Sequence, residues 1–286
     1  MDRQLFEPAA ELDGSLVGAL VEQLRIERKR KTGGIYHKLQ IDFAYNSNHI
    51  EGSRLTHEQT RYLFETQTIE SDEALRADDV VEAVNHFACF NYMLDTLDKP
   101  LTEELIKEYH RLLKSSTTDS LNEWFVVGDY KRRANVVGDR ETASPAEVPG
   151  AMRKLLKDYG EKARIGLEDI VDFHVRLEAI HPFQDGNGRV GRLVMFRECL
   201  VNRVMPFIIT ENLRYYYYRG LSKWEQERGW LADTCLAAQD NFRAIIDYFG
   251  IGEQNPPELE ESQNAEFALD RRGDLALPPE GEIDDR

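Results

Sequence analysis

The chain is organised around His181-Pro182-Phe183-Gln184-Asp185-Gly186-Asn187-Gly188-Arg189-Val190-Gly191-Arg192. Ahead of this segment, Ile170, Phe173, Leu177 and Ile180 recur at helical spacing and predict a buried helix running into His181. Pro182 ends that helix by disfavouring the α conformation at the residue before it. Beyond the segment, Leu193, Met195, Phe196 and Leu200 predict a second buried helix starting near Gly188 or Arg189. The Gly186-Asn187-Gly188 turn between them can take positive φ and aim successive N–H groups at one point. Such a nest at a helix N-terminus attracts an anion. Arg189 and Arg192, three apart, add two cations to one side of the first turn. Asp185 places one hard oxygen ligand beside the nest, as Mg2+ on a polyphosphate requires. His181 supplies a group that takes a proton near neutral pH. Together these parts compose a phosphate site with a base and a metal ligand. No GxxxxGK[ST] occurs, which excludes a P-loop.

Outward from this segment the body reads as almost wholly helical. Thr56 with Gln59 forms a capping box ahead of Leu63 and Phe64. Asp78 and Asp79 open a longer helix with Val80, Val84, Phe87, Met93 and Leu97 at helical spacing. Thr102 caps a segment with Glu103 and Glu104 in its first turn. Ser144-Pro145-Ala146-Glu147 reads as a capping box with proline at the first helical position. Amphipathic runs follow at about 213–226 and 229–248. The exception is the stretch from Phe125 to Ala143, where Asn135-Val136-Val137 and then Gly138-Asp139 predict a short hairpin. A lone hairpin cannot build a sheet, so it is read as a flap. The expected fold class is mainly α, a helical bundle with a short β-hairpin flap.

The 286 residues carry 36 Lys and Arg against 52 Asp and Glu, a net charge of −16. That balance excludes nucleic-acid binding through a general basic surface. No apolar run approaches membrane-spanning length, and the first residues show no secretory leader. Three distant cysteines, Cys89, Cys199 and Cys235, fit a reducing cytoplasm without disulfides. Residues 253–286 hold eleven acidic and three basic residues and four of the ten prolines, and are expected to be a disordered tail.

Glu51 is oddly placed. Ile35, Leu39, Phe43 and Ile50 predict a helix, and Gly52 is its natural stop. A carboxylate in the last turn faces the negative end of the helix dipole, at a cost of about 0.3–1 kcal/mol. A nearby cation would offset that cost.

Residues 181–192 resemble the signature of the Fic (filamentation-induced-by-cAMP) family, His-x-Phe-x-Asp/Glu-Gly-Asn-Gly-Arg-x-x-Arg, at every fixed position. The resemblance spans about residues 101–251, including Gly128-Asp129-Tyr130-Lys131 through Val137-Gly138 and the tyrosines Tyr215–Tyr218. Upstream, Ser47 with Glu51-Gly52 is similar to the family's inhibitory motif, Ser/Thr-x-x-x-Glu-Gly/Asn. The resemblance implies a Fic-type bundle: an N-terminal helical region over 1–100 carrying the inhibitory helix at about 35–52, a Fic domain over 101–251, and an acidic tail over 252–286. The implied activity is transfer of AMP from ATP to a Tyr, Ser or Thr hydroxyl of an unidentified target protein, itself included, with Mg2+ as cofactor.

Residue by residue, the resemblance makes His181 the base for the acceptor hydroxyl and Asp185 the Mg2+ ligand. Gly186, Asn187 and Gly188 cradle the phosphates, and Arg189 and Arg192 hold the β and γ groups. Val136, Val137 and Gly138 form the flap that docks the target, and Tyr217 and Tyr218 line the adenosine pocket. Glu51 pairs with Arg192 and denies it to the γ-phosphate, and Ser47, one turn back, orients the site. Many relatives form dimers, so the resemblance also admits a homodimer. Two other readings stay open: removal of AMP with Glu51 positioning a water, and a non-catalytic nucleotide-binding regulator.

Overall fold

The structure, a computed structural model, describes residues 12–30, 33–137 and 140–252. Gly138 and the acidic tail lie outside the described residues. Ten α-helices run in order among them: α1 (Leu12–Arg30), α2 (Ile35–Ile50), α3 (His57–Thr66), α4 (Ala77–Asp95), α5 (Glu103–Lys114), α6 (Val148–Gly160), α7 (Leu167–Ile180), α8 (Asn187–Val201), α9 (Arg214–Lys223) and α10 (Gly229–Tyr248). The protein is mainly helical, as expected. Between α5 and α6, β1 (Val136–Val137) pairs antiparallel with β2 (Arg140–Glu141), Val136 opposite Glu141 and Val137 opposite Arg140.

Helix α8 is the axis. Asn187 and every residue from Arg189 to Leu200 are buried, so other helices cover it on all sides, and α7 packs beside it. Phe196 joins three of its neighbours: its ring lies 5.1 Å from Phe43 of α2, 6.0 Å from Phe90 of α4 and 5.8 Å from Phe242 of α10. Gly191 explains how closely α7 approaches. A Cβ there would lie 2.7 Å from the Glu178 carboxylate and 2.9 Å from the His174 ring.

The helix starts follow local chemistry in two places. The Thr56 hydroxyl accepts the Gln59 N–H at 3.1 Å while the Gln59 side chain accepts the Thr56 N–H at 3.0 Å. Thr102 accepts the Leu105 N–H. At Ser144 the structure corrects the sequence reading. Glu147 accepts both the Ser144 N–H and its hydroxyl, so the hydroxyl is spent as a donor and α6 begins only at Val148. The face of α4 is also rotated. Val84 is exposed and Leu97 falls past the helix end, whereas Asp79, Glu82 and His86 are buried. Glu82 and His86 face Arg189 and Arg192 of α8, and Asp79 accepts the Arg54 N–H, so these polar residues turn inward.

Cys89, Cys199 and Cys235 are free and buried. No described helix is long and apolar enough to cross a membrane.

Gly220 lets α9 lie directly on α10, since a Cβ would fall 2.7 Å from Leu231 Cβ and 2.8 Å from its Cα. Gly220→Ala is expected to destabilise the protein by about 1–3 kcal/mol, the usual range for overpacking. Urea denaturation checks this, and an unchanged midpoint would contradict it.

Candidate active site

The α7–α8 turn is closed by one side chain. Asn187 Oδ1 accepts the Phe183 N–H at 2.8 Å and its Nδ2 donates to the Phe183 carbonyl at 2.9 Å. The Phe183 ring then stacks on His110 of α5 at 4.0 Å, with 2° between the planes. Asn187 thus spends its amide on the turn itself. His181 sits just past α7 in the left-handed region, φ 51° and ψ 62°, with its N–H bonded to Leu177. A non-glycine residue held there is a local strain. It carries the imidazole off the helix axis towards the turn. Burial, and next the Lys131 ammonium, lower its pKa, so the ring is a neutral base at pH 7. Its Nδ1 is buried and the Glu178 backbone bonds the ring, leaving Nε2 as the nitrogen available to a substrate. Gly186 takes φ 79°, and no side chain caps the α8 N-terminus. Gly186, Gly188 and Gly191 have G-x-G-x-x-G spacing, but a helix feeds this turn. Helix α7 occupies the place of the strand that a dinucleotide fingerprint requires.

Both arginines are buried and paired. Arg189 bonds Glu82 of α4 and donates to Asp185 Oδ2 at 3.1 Å. Asp185 also accepts from Lys114 at 2.6 Å. Burial alone would raise the Asp185 pKa, but Arg189 and Lys114 hold it well below the usual carboxylate range. Arg192 donates from Nη2 to Glu51 Oε1 at 2.8 Å and to the Ser47 carbonyl at 2.8 Å, and from Nε to the Ser47 hydroxyl at 3.1 Å. Burial opposes its charge, and Glu51 more than restores it.

Glu51 follows α2, and its carboxylate lies over the first turn of α8. A Cβ at Gly188 would collide with Glu51 Oε1 and stand 2.9 Å from Arg192 Nη1. Gly188 therefore makes room for this carboxylate. The cation and the positive end of the α8 dipole together offset its poor place at the end of α2.

The flap is pinned to the same turn. The Lys131 N–H donates to the Pro182 carbonyl at 2.9 Å, and Asn135 Nδ2 donates to Phe183 O at 3.1 Å. Lys131 Nζ donates to Asn135 Oδ1 and Thr142 Oγ1, both at 2.7 Å. Val136 and Val137 are exposed. The two tyrosines diverge. Tyr217 is 1% exposed, with its hydroxyl 2.7 Å from His174 Nε2 and its ring 5.9 Å from the Arg192 guanidinium. It backs the arginine from inside the core and presents no face to a pocket, which corrects its expected place. Tyr218 is exposed at the rim, its hydroxyl pushed up to about 12 by burial and next by Glu51.

Residues 100–199 match the Fic/DOC family model. The matched segment runs from the start of α5 through the turn and most of α8. Curated relatives include the protein adenylyltransferase Fic of Nematostella vectensis, 24% identical over 233 residues, covering 78% of this chain and 51% of the relative. The protein adenylyltransferase Fic of Aedes aegypti is 25% identical over 224 residues, covering 76% and 42%. The chain thus spans about half the length of the curated relatives it matches. A Fic domain containing signaling protein from Bacteroides thetaiotaomicron superposes with a TM-score of 0.61 at 25% identity, covering 82% of this chain and 90% of that one. A Fic family protein from Desulfovibrio desulfuricans shares the fold at a TM-score of 0.61 and 21% identity, covering 85% and 77%.

The sequence reading gave no role of their own to Glu82, Lys114, Lys131 and Glu178. Burial pushes the Glu178 carboxyl up to about 7, with Glu51 adding to it. Burial likewise lowers Lys131 to about 8. Only Glu82 left a trace, as one of three polar residues (Asp79, Glu82, His86) that share a face of α4.

His86, His110 and His174 are held near pKa 3, in each case first by burial. Their unfolded pKa is about 6.5, so below that pH the unfolded chain binds more protons and stability falls. Glu178 acts in the opposite sense and offsets one of the three between about pH 7 and 4.5. The buried histidines outnumber Glu178, so the net expectation between pH 6.5 and 4.5 is a loss of stability on acidification. Urea unfolding at pH 7.5, 6.0 and 5.0 checks this; flat or rising stability on acidification would contradict it.

Proposed function

We propose that this site transfers the AMP moiety of ATP to a protein hydroxyl and that Glu51 holds the reaction back. One observation carries the reading: the Glu51–Arg192 pair of 2.8 Å lies over the N-terminus of α8, beside the turn that presents His181. The names of the curated relatives support the transferase part. In this reading His181 Nε2 takes the proton of the acceptor hydroxyl, the hydroxyl oxygen attacks the α-phosphorus, and pyrophosphate leaves. The free N–H groups of the first turn of α8 bind phosphate oxygens, and Arg189 and Arg192 stabilise the β and γ groups.

Asp185 fits a divalent cation. Its side chain is 48% exposed, its ionised form is favoured, and Oδ2 alone accepts from the flanking cations. Mg2+ bound there with the nucleotide would neutralise charge on the phosphates. The exposed Val136 and Val137 of the flap supply an edge for the target segment.

An arginine bound to Glu51 cannot also hold the γ-phosphate, so ATP would sit in a pose unfit for in-line attack. Releasing it for a charge-assisted contact is worth about 1.5–3 kcal/mol, or roughly ten- to hundredfold in rate if the contact forms only in the productive pose. Glu51→Gly is therefore expected to raise AMP transfer from labelled ATP, to the protein itself or to lysate proteins, by that factor. Adding Arg192→Ala is expected to cancel the gain. A Glu51→Gly enzyme no faster than wild type would contradict autoinhibition. Loss of AMP removal from a modified protein in its place would favour the hydrolytic reading.

His181→Ala is expected to lower transfer by about 10²–10⁴-fold, the usual worth of a general base, while nucleotide binding persists. Transfer within threefold of wild type would remove His181 from the role.

A further inference from the structure

Lys114, the last residue of α5, is buried beneath the turn with its side chain 2% exposed. Its Nζ donates to Glu82 Oε1 at 2.5 Å and to Asp185 Oδ2 at 2.6 Å. The other oxygen of Glu82 pairs with Arg189, and Arg189 returns to Asp185 Oδ2 at 3.1 Å. Lysine, glutamate, arginine and aspartate thus close a ring of alternating charge. Asp119 adds a further anion 3.3 Å from Lys114.

The ring treats the two oxygens of Asp185 differently. Both cations act on Oδ2, and neither pairs with Oδ1; the Gly186 backbone also bonds the carboxylate. The ammonium cannot easily swing away, because the turn lies on its stem: a Cβ at Gly186 would stand 3.3 Å from Leu113 and 3.5 Å from Lys114 Cδ. Pulling Oδ2 from Lys114 would also cost the ammonium its 2.6 Å partner and leave it to Glu82 and Asp119.

We infer that Lys114 is a positioning residue that restricts Asp185 to coordination through one oxygen, and so selects a small six-coordinate divalent cation over a larger one. This rests on the reading of Asp185 as the metal ligand. Mg2+ demands near-octahedral geometry, keeps several waters and takes one or two carboxylates. Ca2+ takes six to eight oxygens and readily uses a carboxylate in bidentate fashion. No group of three or more metal-ligating side chains exists among the described residues, so the denticity of Asp185 weighs heavily. Lys114→Met keeps the stem, removes the ammonium and leaves Oδ2 only the longer 3.1 Å contact with Arg189, which opens it to a metal and benefits the larger ion.

The test is calorimetric titration of Mg2+ and of Ca2+ into wild type, Lys114→Met, Lys114→Arg and Asp185→Asn, each with a non-hydrolysable ATP analogue. The ratio of the Ca2+ to the Mg2+ dissociation constant is expected to fall at least fivefold in Lys114→Met and to stay within twofold in Lys114→Arg. An unchanged ratio in Lys114→Met, with binding still lost in Asp185→Asn, overturns the inference alone. Wild-type Mg2+ affinity in Asp185→Asn overturns the ligand reading beneath it. A second measurement needs no lysine variant to fold: the infrared difference spectrum of wild type on Mg2+ addition, with that of Asp185→Asn subtracted. A wide carboxylate splitting, as for one-oxygen coordination, is expected; the narrow bidentate splitting overturns the inference.

Discussion

One buried guanidinium, that of Arg192, already holds an anion at the N-terminus of α8. Arg192 is enclosed by α2, α8 and Tyr217, and its bonds to Ser47 and Glu51 satisfy Nη2 and Nε while Nη1 has no partner. Removing one member of a buried pair is costly because it strands the other's charge. A stranded Arg192 is a cation in search of an anion at a helix N-terminus, where a phosphate is already favoured. In the proposed account Glu51 therefore competes with substrate for one fixed cation, and Gly188 is what lets a carboxylate compete at all.

The parts of the site that sequence makes legible are local. Pro182 and the glycines announce the turn, and the apolar periodicity of α7 and α8 needs only neighbours within a few turns. The placement of Glu51 could be argued from the helix dipole, again a local effect. The ring around Asp185 was not legible, because its bonds join residues 32 and 71 positions apart. The periodic pattern of α4 held for Phe87 and Met93 and failed at Val84 for a related reason. A helix that packs on arginines buries Asp79, Glu82 and His86 and leaves Val84 outside, the reverse of what an apolar core would select. Tyr217 and Tyr218 are adjacent on α9, so their opposite fates depend on helix rotation, which a run of four tyrosines does not reveal. Helix α1, with Val17, Leu20 and Leu24 buried, also went unread among its many polar residues.

The residues that act on the turn do not all come from the segment that matches the family model. Lys114, Asp185, Arg189 and Arg192 fall within residues 100–199. Ser47, Glu51 and Glu82 lie upstream, on or just past α2 and on α4, and Tyr218 lies downstream on α9. The upstream helices thus do more than support the fold. They supply every carboxylate that Arg189 and Arg192 meet apart from Asp185.

The most direct measurement of this competition is a pair of affinities. Calorimetric titration of ATP and of AMP into wild type and Glu51→Gly isolates the contribution of the β and γ groups, since AMP lacks both. If Glu51 withholds Arg192 from the γ-phosphate, the preference for ATP over AMP should rise at least tenfold in Glu51→Gly, with AMP affinity unchanged. The same preference in both proteins would contradict the account.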